Sequence, residues 1–422
     1  MEKHQRASFV PLYFVFFLDN FGFSLVFSLF GPLLLDPQYG FLPSEIGVGT
    51  RNLYIALLFA VFPLAQLFGA PFIGDLGDHY GRKKCFYATL MGSVAGYILA
   101  AISILTHSYV LLIVSRLING FVAGNLGLCL AAIADLTPTE TSRGRHYGFI
   151  AMTAGISWVL AVLSGSYLTD RSIYALFHPA LPYMLTAFLS ILALISVAVL
   201  FKETHVTRQK KIELRFFRGL HNIATSFYIK EVRWLYVVYF FWVLGWGTTI
   251  QWFAPFSIEA FHQSDIVISW ALVLFGVAWA VGGSLINWLL LKKLKSSSSA
   301  RWGLLLTAVG IIVASLSHKF SLFATSYILA ALFAGVGMSN LLNLISMAAP
   351  ANMQGKVMGL SQSTMALSWI VGPICAGLIT DVNIKITYYY AASFLVLSLL
   401  ILIIEGQRRR RKNKKNPFFE TH

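Results

Sequence analysis

Twelve separate runs of roughly twenty residues in this chain are almost free of charge, and this patterning narrows the possible folds to very few. A helix rising 1.5 Å per residue needs about 20 apolar residues to cross the hydrocarbon core of a bilayer. The runs fall at 10–35, 51–73, 85–106, 110–134, 149–168, 181–201, 234–256, 267–291, 302–317, 320–346, 357–380 and 386–405. Only 12% of the 422 residues are charged, about half the share with which a soluble domain covers its surface. The expected fold class is therefore an all-α integral membrane protein of twelve transmembrane helices. The run that starts at Val10 is too long for a signal-peptide core, and no small-residue cleavage site follows it, so it reads as a retained helix.

A formal charge of +15 could point to nucleic acid, but its placement points elsewhere. Of the 32 Lys and Arg residues, 27 sit in joints on one side of the expected membrane and four (Arg51, Arg171, Lys319 and Lys385) on the other. The last, Arg116, lies inside a run. This is the positive-inside pattern, and it puts both termini in the cytoplasm, as an even number of crossings also requires. The basic tail from Arg408 to Lys415 directly follows a membrane helix and reads as an orientation signal resting on anionic lipid, not as a nucleic-acid site. Cys85, Cys129 and Cys375 form no disulfide framework and no metal-ligand spacing. A phosphate-binding GxxxxGK[ST] loop is missing, so ATP hydrolysis is not expected. Paired mid-membrane catalytic groups are missing as well, so the chain does not read as an enzyme and no cofactor or metal is expected. Histidines fall outside the middles of the runs, which argues against a histidine proton relay. The serine-rich segment from Lys295 to Ala300 reads as a short flexible joint.

The halves repeat each other. Gly144-Arg145-x-x-Gly148, Ser157-Trp158 and Thr169-Asp170 recur as Gly355-Lys356-x-x-Gly359, Ser368-Trp369 and Thr380-Asp381, each offset by 211 residues. Phe17, Gly22 and Pro32 recur as Phe240, Gly245 and Pro255, offset by 223. The expected organisation is an N-terminal six-helix bundle (1–201), a basic cytoplasmic linker (202–233), a C-terminal six-helix bundle (234–405) and a basic cytoplasmic tail (406–422). Such parallel halves enclose a solute site near the bilayer midplane.

Two buried charges stand out. Asp19 lies about ten residues into the first run, roughly 15 Å deep, and no other acid lies so far from a run's end. A carboxyl group at that depth is costly and is a candidate proton carrier; a structural partner role is the plainer reading. Arg116 is the one cation inside a run, and counting residues puts it within about 10 Å of Asp19 in depth. Arginine keeps its charge, so Arg116 is a candidate to tune Asp19 or hold an anion, not to carry the proton. Asn20, Asn119, Gln251, Asn340 and Asn343 are candidate cavity-lining polar residues, with Trp252 and Trp246 as flat apolar contacts. For each of these, an interhelical hydrogen bond or packing contact is the alternative.

The joint after the second run reads Gly74-Asp75-Leu76-Gly77-Asp78-His79-Tyr80-Gly81-Arg82-Lys83-Lys84. It resembles the G-x-L-x-D-x-x-G-R-[RK]-[RK] signature of the major facilitator superfamily. Arg116-Leu117-x-x-Gly120-x-x-x-Gly124, and Asp135-x-x-Pro138 with Arg143-Gly144-Arg145, resemble further motifs of that family. Leu18-Asp19-Asn20-Phe21-Gly22 and Gly31-Pro32 are similar to its drug:proton antiporter branch, which includes the tetracycline exporters. The resemblance implies a cytoplasmic latch in which Gly74, Asp78, Gly81, Arg82, Asp135 and Arg143 hold the halves together when the cavity opens outward. In that picture Gly74 and Gly77 let helices approach, Gly81 makes the turn, Asp78 meets the start of the eleventh helix near Gly355, and Arg82 pairs with Asp135. One departure is clear: the antiporter branch carries a Gly-Pro pair in its fifth helix, whereas this chain has Ala161 to Gly165 there and Gly372-Pro373 in the eleventh.

These features imply a monomeric multi-pass transporter of the cell inner membrane, coupling protons to export of a small organic solute. Proton-driven import of a metabolite such as an amino acid, organic acid or siderophore is the alternative. A transport-inactive sensor on the same fold is the reading from another class.

Overall fold

Backbone groups inside a bilayer have only one another to bond, and each apolar run meets that demand by winding into a helix. The computed structural model describes residues 8–137, 140–204, 232–348, 354–380 and 383–415. Its helices are α1 (Phe9–Leu35), α2 (Val48–Tyr80), α3 (Arg82–Leu105), α4 (Tyr109–Val122), α5 (Asn125–Leu136), α6 (Glu140–Tyr167) and α7 (Leu181–Leu200). After the linker come α8 (Arg233–Gln251), α9 (Phe253–Phe261), α10 (Asp265–Val281), α11 (Asn287–Leu291), α12 (Ser296–Ser315), α13 (Phe320–Ala348), α14 (Gln354–Thr380) and α15 (Lys385–Lys415). Three of the crossings are broken. α4 and α5 part at Ala123–Gly124, α8 and α9 at Trp252, and α10 and α11 at a π-helical turn over Gly282–Ile286. Joined across these breaks, the helices form twelve rods, and the described residues contain no strand. Ten rods are long and apolar enough to cross a membrane. The fifth is apolar only over Met152–Tyr167, and the seventh is interrupted at Trp252.

Three boundaries differ from the expected ones. α2 does not stop at residue 73 but continues to Tyr80, so Gly74 to Tyr80 are the last turns of a helix and only Gly81 is the turn. Hydropathy ends where the lipid ends, but a helix emerging into water needs no apolar residues to continue. Ser296 to Ala300 are not a flexible joint; they begin α12. Serine costs little in a first turn, where the backbone N–H groups lack intrahelical partners in any case, and Ser299 and Ala300 are buried. Likewise α15 carries the basic stretch on as helix to Lys415. Most of the expected linker (205–231) lies outside the described residues.

The repeat read from the offsets has a matching contact in each half. Ser157 Oγ donates to Phe17 O at 2.7 Å, and Ser368 Oγ donates to Phe240 O at 3.1 Å. The same bond therefore ties the fifth rod to the first and the eleventh to the seventh. Gly31, just before Pro32, packs on Ala254 and Pro255, so the two repeated proline sites meet face to face between the halves.

Packing divides the apolar interior in two. One cluster unites both halves through Phe21, Phe27 and Phe59 on one side and Trp246, Phe253 and Phe275 on the other. A second, built from Phe9, Leu12, Phe16, Phe86, Leu128 and Phe201, belongs to the N-terminal half alone. Its residues lie toward the helix ends on the side of both termini, here called the inner side. The halves thus share an apolar core in their outer part, while the inner part of the N-terminal half packs on itself.

Candidate functional site

Asp19 sits on α1 where α1 passes the break between α4 and α5. At Ala123 and Gly124 the backbone leaves helical geometry, which frees a carbonyl on one side and N–H groups on the other. Both are taken up. Gln66 Nε2 of α2 donates to Ala123 O at 2.9 Å. On the other side, Asn125 Nδ2 donates to Asp19 Oδ1 at 2.9 Å, and the Asn125 backbone N–H faces the same carboxylate. The positive end of the α5 dipole points the same way. Thr89 Oγ1 of α3 lies 2.6 Å from Asn125 Oδ1, and Thr89 and Asn125 are both buried. Discontinuous helices in transporters recurrently aim such N-termini at anionic substrate groups; here the anion is a side chain of the protein itself.

Arg116 does not reach this group. It is 3% exposed and stacks near Phe62 at 4.5 Å and Phe30 at 5.4 Å, with Nε 3.4 Å from Leu58 O. Among the described residues no carboxylate lies within 4.0 Å of it. Phe30 is eleven residues outward of Asp19 on α1, and Arg116 is nine residues outward of Asn125, so about 15 Å of helical rise separates the levels. The estimate of about 10 Å is therefore too short; counting from helix ends could not register the break in the fourth rod. Tyr97 of α3 lies between the two charges, its hydroxyl against Gly22, and it stacks on Tyr183 of α7 with centroids 6.4 Å apart.

The expected cavity residues fare unevenly. Asn20 is half-buried on α1 and donates to Phe16 O of its own helix at 3.1 Å. Asn119 is buried with its amide flat against Gly96, in the contact between α4 and α3. Gln251 and Trp252 are fully buried at the break in the seventh rod, within the joined outer part. Asn340 makes the interhelical bonds named above as the alternative for it. It donates to Asn287 Oδ1 at 2.6 Å and to Val336 O at 2.9 Å, and accepts from Ser296 Oγ at 2.7 Å. Its amide is spent tying α11, α12 and α13 together. Asn343 donates to the same Ser296 at 3.0 Å and is exposed at the inner end of α13.

A set of side-chain hydrogen bonds joins the halves on the outer side. Tyr39 OH donates to Asp265 Oδ2 at 2.9 Å, and Asn52 Nδ2 donates to Glu259 Oε1 at 2.8 Å. Burial, and then the nearby Asp265 carboxylate, hold the Tyr39 phenol well above its ordinary range. Ser166 Oγ bonds Asp265 O at 2.8 Å and Ser269 Oγ at 2.5 Å, Trp270 Nε1 donates to Tyr167 OH at 3.0 Å, and Trp158 Nε1 donates to Leu272 O at 3.0 Å. Trp369, the repeat partner of Trp158, packs on Phe23 and Phe27 of α1 with centroids 5.6 and 6.0 Å apart. Each repeated Ser-Trp pair thus anchors to its own half through serine and meets the opposite half through tryptophan. These bonds seal the halves together on the outer side.

The signature after α2 is arranged within the N-terminal half. Arg82 Nε bonds Asp135 Oδ2 at 2.8 Å, and an Arg82 terminal nitrogen lies 3.6 Å from Asp78 Oδ1. Asp78 is half exposed. Gly81 has φ +94°, and a Cβ there would collide with the Glu203 carboxylate. Glu203 accepts from the backbone N–H groups of Arg82 at 3.0 Å and Lys83 at 3.1 Å, closing the start of α3 from the far end of the sixth rod. Gly77 packs on Leu128, whereas a Cβ at Gly74 would meet nothing within 4 Å among the described residues. Arg143 falls on α6 where side chains lie outside the described residues, as they do at Gly355.

Sequence reasoning passed over Asn125, Thr89, Gln66, Glu203 and the outer bonds. It also passed over His146 of α6, which hydrogen-bonds Tyr13 of α1 and stacks on Phe9 at 3.9 Å. Asn125 left one usable signal, a polar residue directly after Gly124 inside an apolar run. The others are ordinary polar residues whose partners lie 36 to 226 positions away.

Comparison with known proteins returns the same architecture. The family model described as Major Facilitator Superfamily matches residues 12–299 and again 235–421. The chain is 26% identical over 359 residues to the class C tetracycline resistance protein of Escherichia coli, covering 85% of each chain. The human organic anion transporter MFSD10 (TETRAN) superposes with a TM-score of 0.70 at 19% identity, over 94% of this chain and 99% of the other. A D-xylose–proton symporter superposes with a TM-score of 0.71 at 13% identity, over 94% and 97%.

Proposed function

This chain belongs to the major facilitator superfamily, and on that basis we propose that it exports a small organic compound across the inner membrane in exchange for protons. The observation that carries the reading is Asp19, a carboxyl group deep in α1 and held at the N-terminus of a broken helix. A group so placed changes charge on proton exchange, and that change alters what the surrounding helices must solvate. Export by alternating access then has two seals. The outer one, from Tyr39–Asp265 to Trp158–Leu272, must open when the inner one forms. Arg82, already paired with Asp135 and Asp78, is positioned for the inner latch. The basic joints orient both termini to the cytoplasm, and the chain acts as a monomer.

The tetracycline-resistance relatives support export and make tetracycline the first compound to assay. Proton-driven import is the second reading. It is favoured by the fifth rod, where Ala161 to Gly165 lack the antiporters' Gly-Pro pair. The test is purified protein in liposomes with an imposed pH gradient. Gradient-driven tetracycline flux that Asp19→Asn abolishes is expected. Movement against the proton flow means export, and movement with it means import. Flux indifferent to both the gradient and the substitution would refute proton coupling through Asp19.

A further inference from the structure

We propose that Asn125 and Thr89 form a reversible amide relay that satisfies Asp19 in both of its protonation states and so sets the pH at which Asp19 exchanges its proton. The inference rests on the proton-carrier reading of Asp19 and deepens it by naming the residues that tune the carrier.

The geometry is specific. Asn125 follows the break in the fourth rod, so its side chain and its backbone N–H both face Asp19. Its amide has a donating end and an accepting end. As found, the nitrogen is 2.9 Å from Asp19 Oδ1 and the oxygen is 2.6 Å from Thr89 Oγ1. An amide oxygen only accepts, so in this arrangement the Thr89 hydroxyl donates to it. That orientation suits an ionised Asp19, which accepts and cannot donate.

When Asp19 takes up a proton it becomes a donor, and the amide can turn over. The Asp19 hydroxyl then donates to Asn125 Oδ1, and Asn125 Nδ2 donates to Thr89 Oγ1. Thr89 remains satisfied because its hydroxyl can swing to its own helix, where Cys85 O lies at 3.0 Å and Phe86 O at 3.2 Å. In both states each link of the relay keeps one donor facing one acceptor. A hydroxyl both donates and accepts through a single oxygen, which is why threonine serves at position 89 and valine cannot.

Other groups are too few to do this work. The titratable side chains whose fields couple to Asp19 are Tyr97 on α3 and Cys129 on α5. Among the described residues no Lys, Arg or His nitrogen lies within 4.0 Å of the Asp19 carboxylate. Hydrogen bonds to a charged group are roughly twice as strong as those to a neutral one, so loss of the relay penalises the ionised form more.

The test needs no substrate. Purified full-length protein in liposomes is titrated by pH-difference infrared spectroscopy, and the carboxyl C=O band that disappears in Asp19→Asn is assigned to Asp19. In Asn125→Leu the midpoint of this band is expected to move to higher pH by about one unit. Thr89→Val should move it the same way by less, while Thr89→Ser should restore the original midpoint. Thr89→Val is nearly isosteric, so it keeps the test open if Asn125→Leu does not fold. An Asp19 band with the same midpoint in Thr89→Val and Asn125→Leu would overturn the relay and leave Asp19 as carrier. If no band depends on Asp19, the carrier reading itself fails, and the relay with it.

Discussion

Replacing Tyr39 by Phe should open the outer seal about tenfold more often. The phenol donates to Asp265 across the two halves at 2.9 Å, and this bond exists only while the outer face is closed. In the outward-open state both groups meet water. A hydrogen bond to a charged acceptor contributes about 1.5–3 kcal/mol, and the half-exposed position of Tyr39 argues for the lower end. About 1.5 kcal/mol corresponds to roughly a tenfold change in the equilibrium between closed and open. Trp158→Phe removes a neutral bond, Nε1 to Leu272 O at 3.0 Å, for about 1 kcal/mol or roughly fivefold. Asp265 and Leu272 are two turns apart on α10, so the two effects should nearly add, and the double variant should reach roughly fiftyfold. The assay places a single cysteine at Ser269, which is buried in the seal, in a chain lacking Cys85, Cys129 and Cys375. A membrane-impermeant maleimide added from outside then reacts only when the seal opens. Labelling rates should rise in the order Trp158→Phe, Tyr39→Phe, double variant. Equal rates in all three and in the reference would mean that these bonds do not hold the outer face shut.

Gly81→Ala should destabilise the N-terminal half by about 2–4 kcal/mol, because a side chain at φ +94° is strained and would displace the Glu203 carboxylate from the two N–H groups it accepts. Thermal unfolding in detergent should show a clear fall in midpoint, and an unchanged midpoint would refute this reading of the turn. His178, in the outer loop before α7, accepts the Ala180 N–H through Nδ1 at 3.2 Å, which requires the neutral ring. Burial, and then the positive charges of Arg171 and His107, lower its proton affinity below the ordinary histidine value. The unfolded loop therefore binds the proton more readily than the folded one. The contribution of His178 is fully present above about pH 6.5 and is lost as pH falls through the folded value. Hydrogen exchange at Ala180 should accelerate on acidification in the native chain and lose that dependence in His178→Asn, which keeps an acceptor but does not titrate.

The sequence by itself determined the rods, their number, the duplicated plan and the singular position of Asp19. Each of these follows from local chemistry: lipid admits only internally bonded backbone, and an acid among apolar residues is visible as soon as the run is read. Offsets of 211 and 223 even picked out Ser157, Phe17, Ser368 and Phe240, which prove to make the same bond in each half. What surrounds Asp19 was decided only in three dimensions. Asn125 lies 106 positions away and reaches Asp19 because the fourth rod breaks at Ala123–Gly124, a break that no apolar count reveals. Asn340, which reads as cavity lining, is consumed by Asn287 and Ser296. Arg116, which depth counting put within about 10 Å of Asp19 in depth, lies farther out among Phe30, Phe62 and Leu58. Polar side chains inside a membrane protein take whichever partner the packed helices bring within 3 Å, and hydrophobic periodicity carries no record of that choice.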